Sequence, residues 1–437
     1  MEYKRYPKYK ISGVEWLRGV PEHWGVYPGK RVFAQKRDGA LPEDEQLTAS
    51  QKYGVIPQKM FMENEGQKVA LALAGSSNFR HVEKDDFVIS LRSFQGGIER
   101  SRYPGCVTPA YTVLRAARED FEPRYYEFLL KAYPYIQALQ SSTDSLRDGK
   151  AISYDAFGMI PIPTPSRTEQ ESIAEFLDHE TTSIDALIEK KQRLIELLKE
   201  KRQAVITQAV TKGLDPNVPM KDSGVEWLGE VPEHWQTKQI RHLVSFIGGG
   251  TPSKENEDYW QGNIPWVSPK DMKTDTISSA LDNITFQAVT ESSTTLIAKG
   301  AVLIVVRGMI LLHSVPVALT EVNLTINQDM KALVPNKAIS AKYLLYLLKG
   351  FRDIILNLMD SSAHGTRVLP TENFKRLVVA VPRIDEQAEI TTFIESQLSI
   401  FDRLQERTTK SIELLREHRS ALITAAVTGQ IDVRNTA

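Results

Sequence analysis

Cysteine is almost absent: Cys106 is the only one in 437 residues. That excludes an internal disulfide framework and a zinc cage of several cysteines, and leaves a free thiol suited to a reducing compartment. Net charge is missing too, since 54 Lys and Arg stand against 55 Asp and Glu. Any surface for nucleic acid must therefore be a local patch and not a property of the whole chain. No run reaches about 18 uninterrupted apolar residues, and the charged start from Met1 to Lys10 has no apolar signal core behind it. A soluble, cytoplasmic protein with no membrane span is expected. Catalytic chemistry is lacking as well. The eight histidines are scattered without metal spacing, no GxSxG, HExxH or nucleophile–base cluster occurs, and the Gly-rich stretch GGGTPSK (Gly248 to Lys254) lacks P-loop spacing. That stretch reads as a strand-to-turn loop, and no catalytic residue, metal or cofactor is expected.

What the chain does contain is itself, twice. SGVEWLRGVPEHW runs from Ser12 to Trp24, and SGVEWLGEVPEHW returns from Ser223 to Trp235 with only Arg18-Gly19 replaced by Gly229-Glu230. A second pair of long stretches, from Glu169 and from Glu386, matches Phe176 to Phe393, Asp185 to Asp402, Arg202 to Arg419 and Thr211 to Thr428. Between these markers the copies diverge, although KDDFVISLRS (Lys84 to Ser93) lies over KGAVLIVVRG (Lys299 to Gly308) and an arginine closes each apolar run. The chain is a duplication, and with 41% apolar residues its length supports at least two globular domains.

Periodicity gives the elements. FVISL and VLIVV are short β-branched runs of the kind that form buried strands. Thr168 with Glu171 predicts a capping box, Asp385 an N-cap, and Gly213 and Gly429 the stops of two long helices. A helix from Glu169 to Thr211 would span roughly 65 Å if unbroken, although HETTSI could interrupt it. Heptad-like stepping picks out a seam containing Ile184, Leu187, Leu194, Leu198 and Val205, matched by Phe401, Leu404, Leu415 and Leu422. Two such seams bury most simply against each other, which predicts a pseudo-twofold antiparallel pair. The tryptophans of the two PEHW segments are expected to anchor turns.

Candidate contacts to DNA are Arg92, Arg307 and Gln95, because Arg can donate bidentately to guanine and Gln matches adenine. Arg92 and Arg307 could equally be solvated strand ends. The loops Leu146 to Lys150 and Ala363 to Arg367 add Arg147, Lys150, His364, Thr366 and Arg367, cationic and polar groups beside glycines that permit close backbone approach. Lys254 and Lys270 flank Trp260 and Trp266, both of which read as core packing.

The duplicated SGVEWL…VPEHW segment, the single stretch GGGTPSKENEDYWQGNIPWVSPKDM, and EQESIAEFL and KEKRQAVITQAVTKG with their second copies, in this order, resemble the specificity subunit of type I restriction-modification enzymes over nearly the whole chain, the body of the first unit from about Lys30 to Arg102 excepted. The resemblance implies an α/β (α+β) protein with target-recognition domains at 1–164 and 215–381, each followed by a helical spacer, at 165–214 and 382–437. The spacers would pack as an antiparallel coiled coil. It further implies a non-catalytic subunit that reads an asymmetric, bipartite double-stranded DNA site and docks methyltransferase subunits, two on a pseudo-twofold frame, with translocating nuclease subunits as further partners. The alternatives are a specificity subunit of another DNA-modification or phage-defence assembly and a coiled-coil scaffold.

Overall fold

The computed structural model describes residues 3–66, 78–90, 97–142, 152–361 and 366–434. The chain divides into two compact units: Met1–Gln192 with Thr409–Ala437, and Arg193–Thr408. In the first unit a four-stranded antiparallel sheet runs in the order Phe33–Lys36, Thr112–Ala116, Phe87–Ile89, Ile98–Arg100. Phe87–Ile89, expected as a buried strand, is buried at every residue. Phe33 sits edge-on to Phe87, Phe121, Tyr126 and Phe157, an arrangement that matches positive ring edges to negative faces. The second unit has a five-stranded sheet in the order Val244–Gly248, Met330–Pro335, Val302–Val305, Val317–Thr320, Thr276–Ile277. Val302–Val305 is buried throughout, again as its β-branched run predicts. The amphipathic helix Ala341–Gly350 is capped by the Ser340 hydroxyl and places Tyr343, Leu344 and Leu347 in one core with Ile206 and Val210.

Both long helices are continuous: Arg167–Lys212 and Ile384–Val427. The HETTSI stretch does not interrupt the first. Helix formation starts earlier than the caps predicted from sequence. Thr168 lies inside the first turn, its hydroxyl bonded to that of Ser166, while Glu171 accepts from Arg167 at 2.9 Å. Asp385 is likewise inside its helix, where Gln387 N already donates to Arg383 O. The capping box and the Asp385 cap are therefore not formed, because the chain becomes helical two residues ahead of the polar signal.

A buried glutamine fixes each start instead. Gln170 accepts from Glu122 N and donates to Asp120 O and Pro165 O. Gln387 does the same with Ser340 N, Ala338 O and Pro382 O. Each is fully buried and satisfies three backbone groups that would otherwise be orphaned.

The helix ends answer why the short segment is written twice. Gly213 and Gly429 stop the helices with φ of 74° and 72°, the left-handed conformation glycine adopts without penalty. A Cβ on Gly429 would lie 3.0 Å from the Trp24 ring, and one on Gly213 3.4 Å from the Trp235 ring. Both tryptophans are completely buried, so the PEHW segments do anchor turns, and what they anchor is a helix terminus. His23 pairs with Glu169, and His234 with Glu386, each at 2.9 Å. In the second unit the chain runs straight on from Gly213 into its docking segment. In the first, the C-terminal residues meet the N-terminal ones, with Asp432 N donating to Lys4 O.

The buried stripe of the helices differs in phase from the heptad reading. Ile184, Leu198 and Leu422 are buried as expected, and Val205, Phe401 and Leu415 are half-buried. Leu187, Leu194 and Leu404 are instead exposed at 42%, 44% and 44%. Ile188, one residue after Leu187, is buried instead, as is Leu398 in the second helix. A straight helix repeats every 3.6 residues, so a strict 3.5-residue stepping drifts off its face within a few turns. Within the first unit Asp185 pairs with Arg419 at 2.9 Å, and within the second Arg202 pairs with Asp402.

Cys106 is buried, and that burial, with the Asp44 carboxylate second, raises its thiol above the usual range, in keeping with a free structural thiol. Among the described residues no helix is long and apolar enough to cross a membrane. Replacing Gln387 with Ala orphans the buried Pro382 carbonyl and the half-buried Ser340 N–H and Ala338 carbonyl, and should destabilise the second unit by about 2–4 kcal/mol. The check is the urea midpoint of that unit's unfolding; an unchanged midpoint would show that the glutamine does not hold the helix start.

Candidate nucleic-acid interface

In the second unit, a rigid turn lies at the end of the short strand Thr325–Ile326. This strand pairs in parallel with Trp260–Val267, and Asn327 N extends the pairing by donating to Val267 O at 2.9 Å. Asn327 is buried, and its side chain closes the turn from both ends: Oδ1 accepts from Asp329 N and Nδ2 donates to the Asp329 carboxylate. The residue between them, Gln328, is exposed.

The glycine-rich loop packs directly on this turn. A Cβ on Gly249 would lie 1.9 Å from Asn327 O, and Gly250 N donates to Ile326 O at 3.0 Å. Only glycine permits that approach. The Trp266 indole donates to Gly250 O and the Trp260 indole to Ser253 O, with the two rings edge-on at 5.4 Å. The tryptophans therefore hold the loop, as the packing reading expected, and Trp266 is buried. No helix follows Lys254 directly, so the stretch is a loop after the strand Val244–Gly248, as its spacing implied.

Asp271 fixes the opposite wall by accepting from Ser268 N and hydroxyl and from Leu281 N. Between the walls is a cleft of about 790 Å³ lined by Lys254 and Lys270, by Asp282 and Asp329, and by Gln328. Its charges balance, so it offers directed polar contacts more than a general positive field.

The arginine that closes the Val302–Val305 strand is tied to the same turn. Val306 N and Arg307 N both donate to Asp329 O. Arg307 and Gly308 pair with Val368 and Arg367, which brings the two arginines onto neighbouring strands. Arg307 is exposed, Thr366 and Arg367 are half-buried, and Met309 beside them is 70% exposed. Thus Lys254 and Lys270 share one cleft; Arg307 is tied to the turn beside it through the Asp329 carbonyl, with Arg367 on the neighbouring strand, and neither arginine lines the cleft. Arg92, Gln95, Arg147, Lys150 and His364 lie outside the described residues.

Sequence reasoning missed Gln328. A lone glutamine after an apolar run has no periodicity to mark it. The one available signal was the glycine triplet, which demanded close backbone approach without saying to what. Among the described residues no group of three or more His, Cys, Asp or Glu could hold a metal ion.

Comparison with known proteins follows the same division into copies. A family model described as type I restriction modification DNA specificity domain matches residues 21–197 and again residues 232–414. The chain is 32% identical over 261 residues to the EcoR124I/EcoR124II type I restriction enzyme specificity subunit of Escherichia coli, covering 58% of this chain and 59% of that one. It is 34% identical over 194 residues to the MjaIX specificity subunit of Methanocaldococcus jannaschii, covering 44% and 43%. The chain thus spans about three fifths or less of the length of these relatives. Two solved structures share the fold. One, from work titled as the structural basis of complex assembly and conformational transition of the type I R-M system, superposes with a TM-score of 0.72 at 14% identity over 93% of this chain and 98% of its own. The other, the HsdS subunit from Thermoanaerobacter tengcongensis, gives 0.59 at 14% identity over 94% and 98%.

The close approach at Gly249 yields a direct check. Gly249→Ala should destabilise the second unit by about 1–3 kcal/mol through overpacking against backbone. Gly248→Ala should not, because its Cβ would meet only the flexible end of Lys331. Thermal midpoints of the two variants decide it, and equal values would refute the contact.

Proposed function

We propose, because the chain belongs to the type I restriction modification DNA specificity family, that it is the DNA-reading, non-catalytic subunit of a type I restriction-modification complex. In this reading each unit carries one target-recognition domain, at 1–164 and 215–381, and each reads one half of a bipartite, asymmetric site in double-stranded DNA. The helices at 165–214 and 382–437 pair antiparallel and set the gap between half-sites. Two methyltransferase subunits dock on the helices, where Leu187, Leu194 and Leu404 offer exposed apolar contacts, and translocating nuclease subunits join through them.

The observation that carries the reading is reciprocity. Three positions matched by the duplication bond alike in both units: Gln170 as Gln387, His23 as His234, and Tyr125, donating to Val427 O, as Tyr343, donating to Val210 O. The helix contacts are exchanged, so that Asp185 of the first copy meets Arg419 of the second, and Arg202 of the first meets Asp402 of the second. Contacts that rise along one helix while falling along the other are those of an antiparallel pair. Two similar frames bearing different loops suit two different half-sites.

In the second domain, Lys254 and Lys270 serve as phosphate contacts and Arg307 and Arg367 as readers at the groove. Lys254→Ala or Lys270→Ala should weaken binding to all duplexes alike and reduce the slope of log affinity against log salt by about 1. Arg307→Ala should cost about 1–3 kcal/mol on one half-site and spare the other. Titration of the assembled methyltransferase complex on duplexes mutated in either half separates these outcomes, and identical losses on both halves would remove Arg307 as a reader.

The decisive test is the adenine-methylation map of a host carrying or lacking this gene, which should lose one bipartite motif on deletion. Inserting four residues in each helix, after Gln192 and after Thr408, adds about 6 Å. The motif should then keep both half-sites and widen its gap by about one or two base pairs, at roughly 3.4 Å each. An active enzyme with an unchanged gap would show that the helices do not set the spacing.

A further inference from the structure

We infer that Gln328 reads an adenine in the half-site taken by the second unit, an assignment that rests on the DNA-reading function proposed above. Gln328 is the exposed apex of a turn whose other members are immobilised. Asn327 is buried and bonded twice to Asp329, Gly249 backs onto its carbonyl with no room for a side chain, and the Asp329 carbonyl takes two backbone N–H groups from the strand end at Val306 and Arg307. A side chain raised on such a base keeps its position when DNA arrives, so little ordering opposes binding.

The amide is also oriented. The Thr251 hydroxyl donates to Gln328 Oε1, which fixes the plane of the amide. Oε1 has a second lone pair, so it can still accept, and Nε2 can still donate. An adjacent acceptor and donor match the major-groove edge of adenine, which presents the N6 amino donor beside the N7 acceptor. Guanine presents two acceptors there, O6 and N7, and would set O6 against Oε1 with no proton between them. That mismatch leaves a desolvated acceptor unpaired and supplies the discrimination.

The other cleft residues suit other roles. Asp329 is engaged by Asn327. Lys254 and Lys270 are exposed cations at the cleft walls, placed to meet the phosphates that bring a base edge within reach of the turn.

The test uses the full chain with its methyltransferase subunits in the host, comparing methylation maps for the wild type, Gln328→Ala and Thr251→Val. Gln328→Ala should make one adenine position degenerate, with discrimination there falling roughly five- to a hundredfold, while the other half-site and the gap are unchanged. Thr251→Val keeps Gln328 but frees its amide, and should relax the same position by a smaller factor. A motif unchanged by Gln328→Ala, degeneracy at a base other than adenine, or an equal loss on all sites would overturn the assignment and leave the function reading standing. A wild type that imposes no bipartite motif would overturn both. Thermal midpoints equal to wild type show that the variants are folded, and if Gln328→Ala is not, the Thr251→Val map alone decides.

Discussion

A helix of 46 residues has an apolar stripe but no core of its own, so everything depends on what covers the stripe and closes its ends. In the second unit Ile206, Ala209 and Val210 of one helix share a core with Tyr343 and Leu347 and with Ile390, Ile394 and Leu398 of the other. The last turn leaves carbonyls with no helical donor. Tyr343 donates its hydroxyl to Val210 O, and Tyr125 donates to Val427 O. Burial raises both phenols well above their usual range, so each stays protonated and remains a donor. The duplicated segment with its buried tryptophan then seals the glycine beyond. The globular parts are thus also the end-caps of the helices, and a helix without them would fray.

This dependence explains what was legible in sequence. The strands Phe87–Ile89 and Val302–Val305, the helix stops at Gly213 and Gly429 and the duplication itself were readable, because each is a local rule or a literal repetition. The phase of the stripe was not. Whether Leu187 or Ile188 faces inward depends on a twist accumulated over many turns, and two neighbouring apolar residues satisfy either choice. The helix starts were misplaced for a related reason: Gln170 and Gln387 fix them through residues some fifty positions earlier in the chain. The cleft was legible only in pieces. Lys254, Lys270 and Arg307 stood out as cations, but nothing local tied them to the turn at Asn327.

The positions that repeat and those that do not have different work. Gln170 with Gln387 and His23 with His234 bond alike in both units, Gly213 and Gly429 turn the chain with the same left-handed φ, and each of them positions a helix end. Lys254, Lys270 and Gln328 belong to stretches with no recognisable match in the other copy, and none of them holds a helix. Asn327, Gly249 and Trp266 stand between the two classes, since they fix the turn that presents Gln328. A frame repeated twice that carries loops that differ is the division expected under the function proposed above.

Within each unit, the charges on the long helices bear on a question that their apolar stripes leave open. Stripes of similar sequence can pair in either direction, since leucine and isoleucine carry no polarity along the axis. The ion pairs Asp185–Arg419 and Arg202–Asp402 are partly exposed, and such pairs contribute about 0.2–1 kcal/mol each at most. They are too weak to hold the helices together. Their value lies in the comparison with the other direction. The duplication matches Asp185 to Asp402 and Arg202 to Arg419, so a parallel, in-register pairing would place acid beside acid and base beside base. Reversing one helix turns both repulsions into attractions without changing a residue. A repeated sequence that carries an acid and a base on its paired face therefore favours its own antiparallel partner, and the duplication that supplies the frame also supplies the reason for its direction.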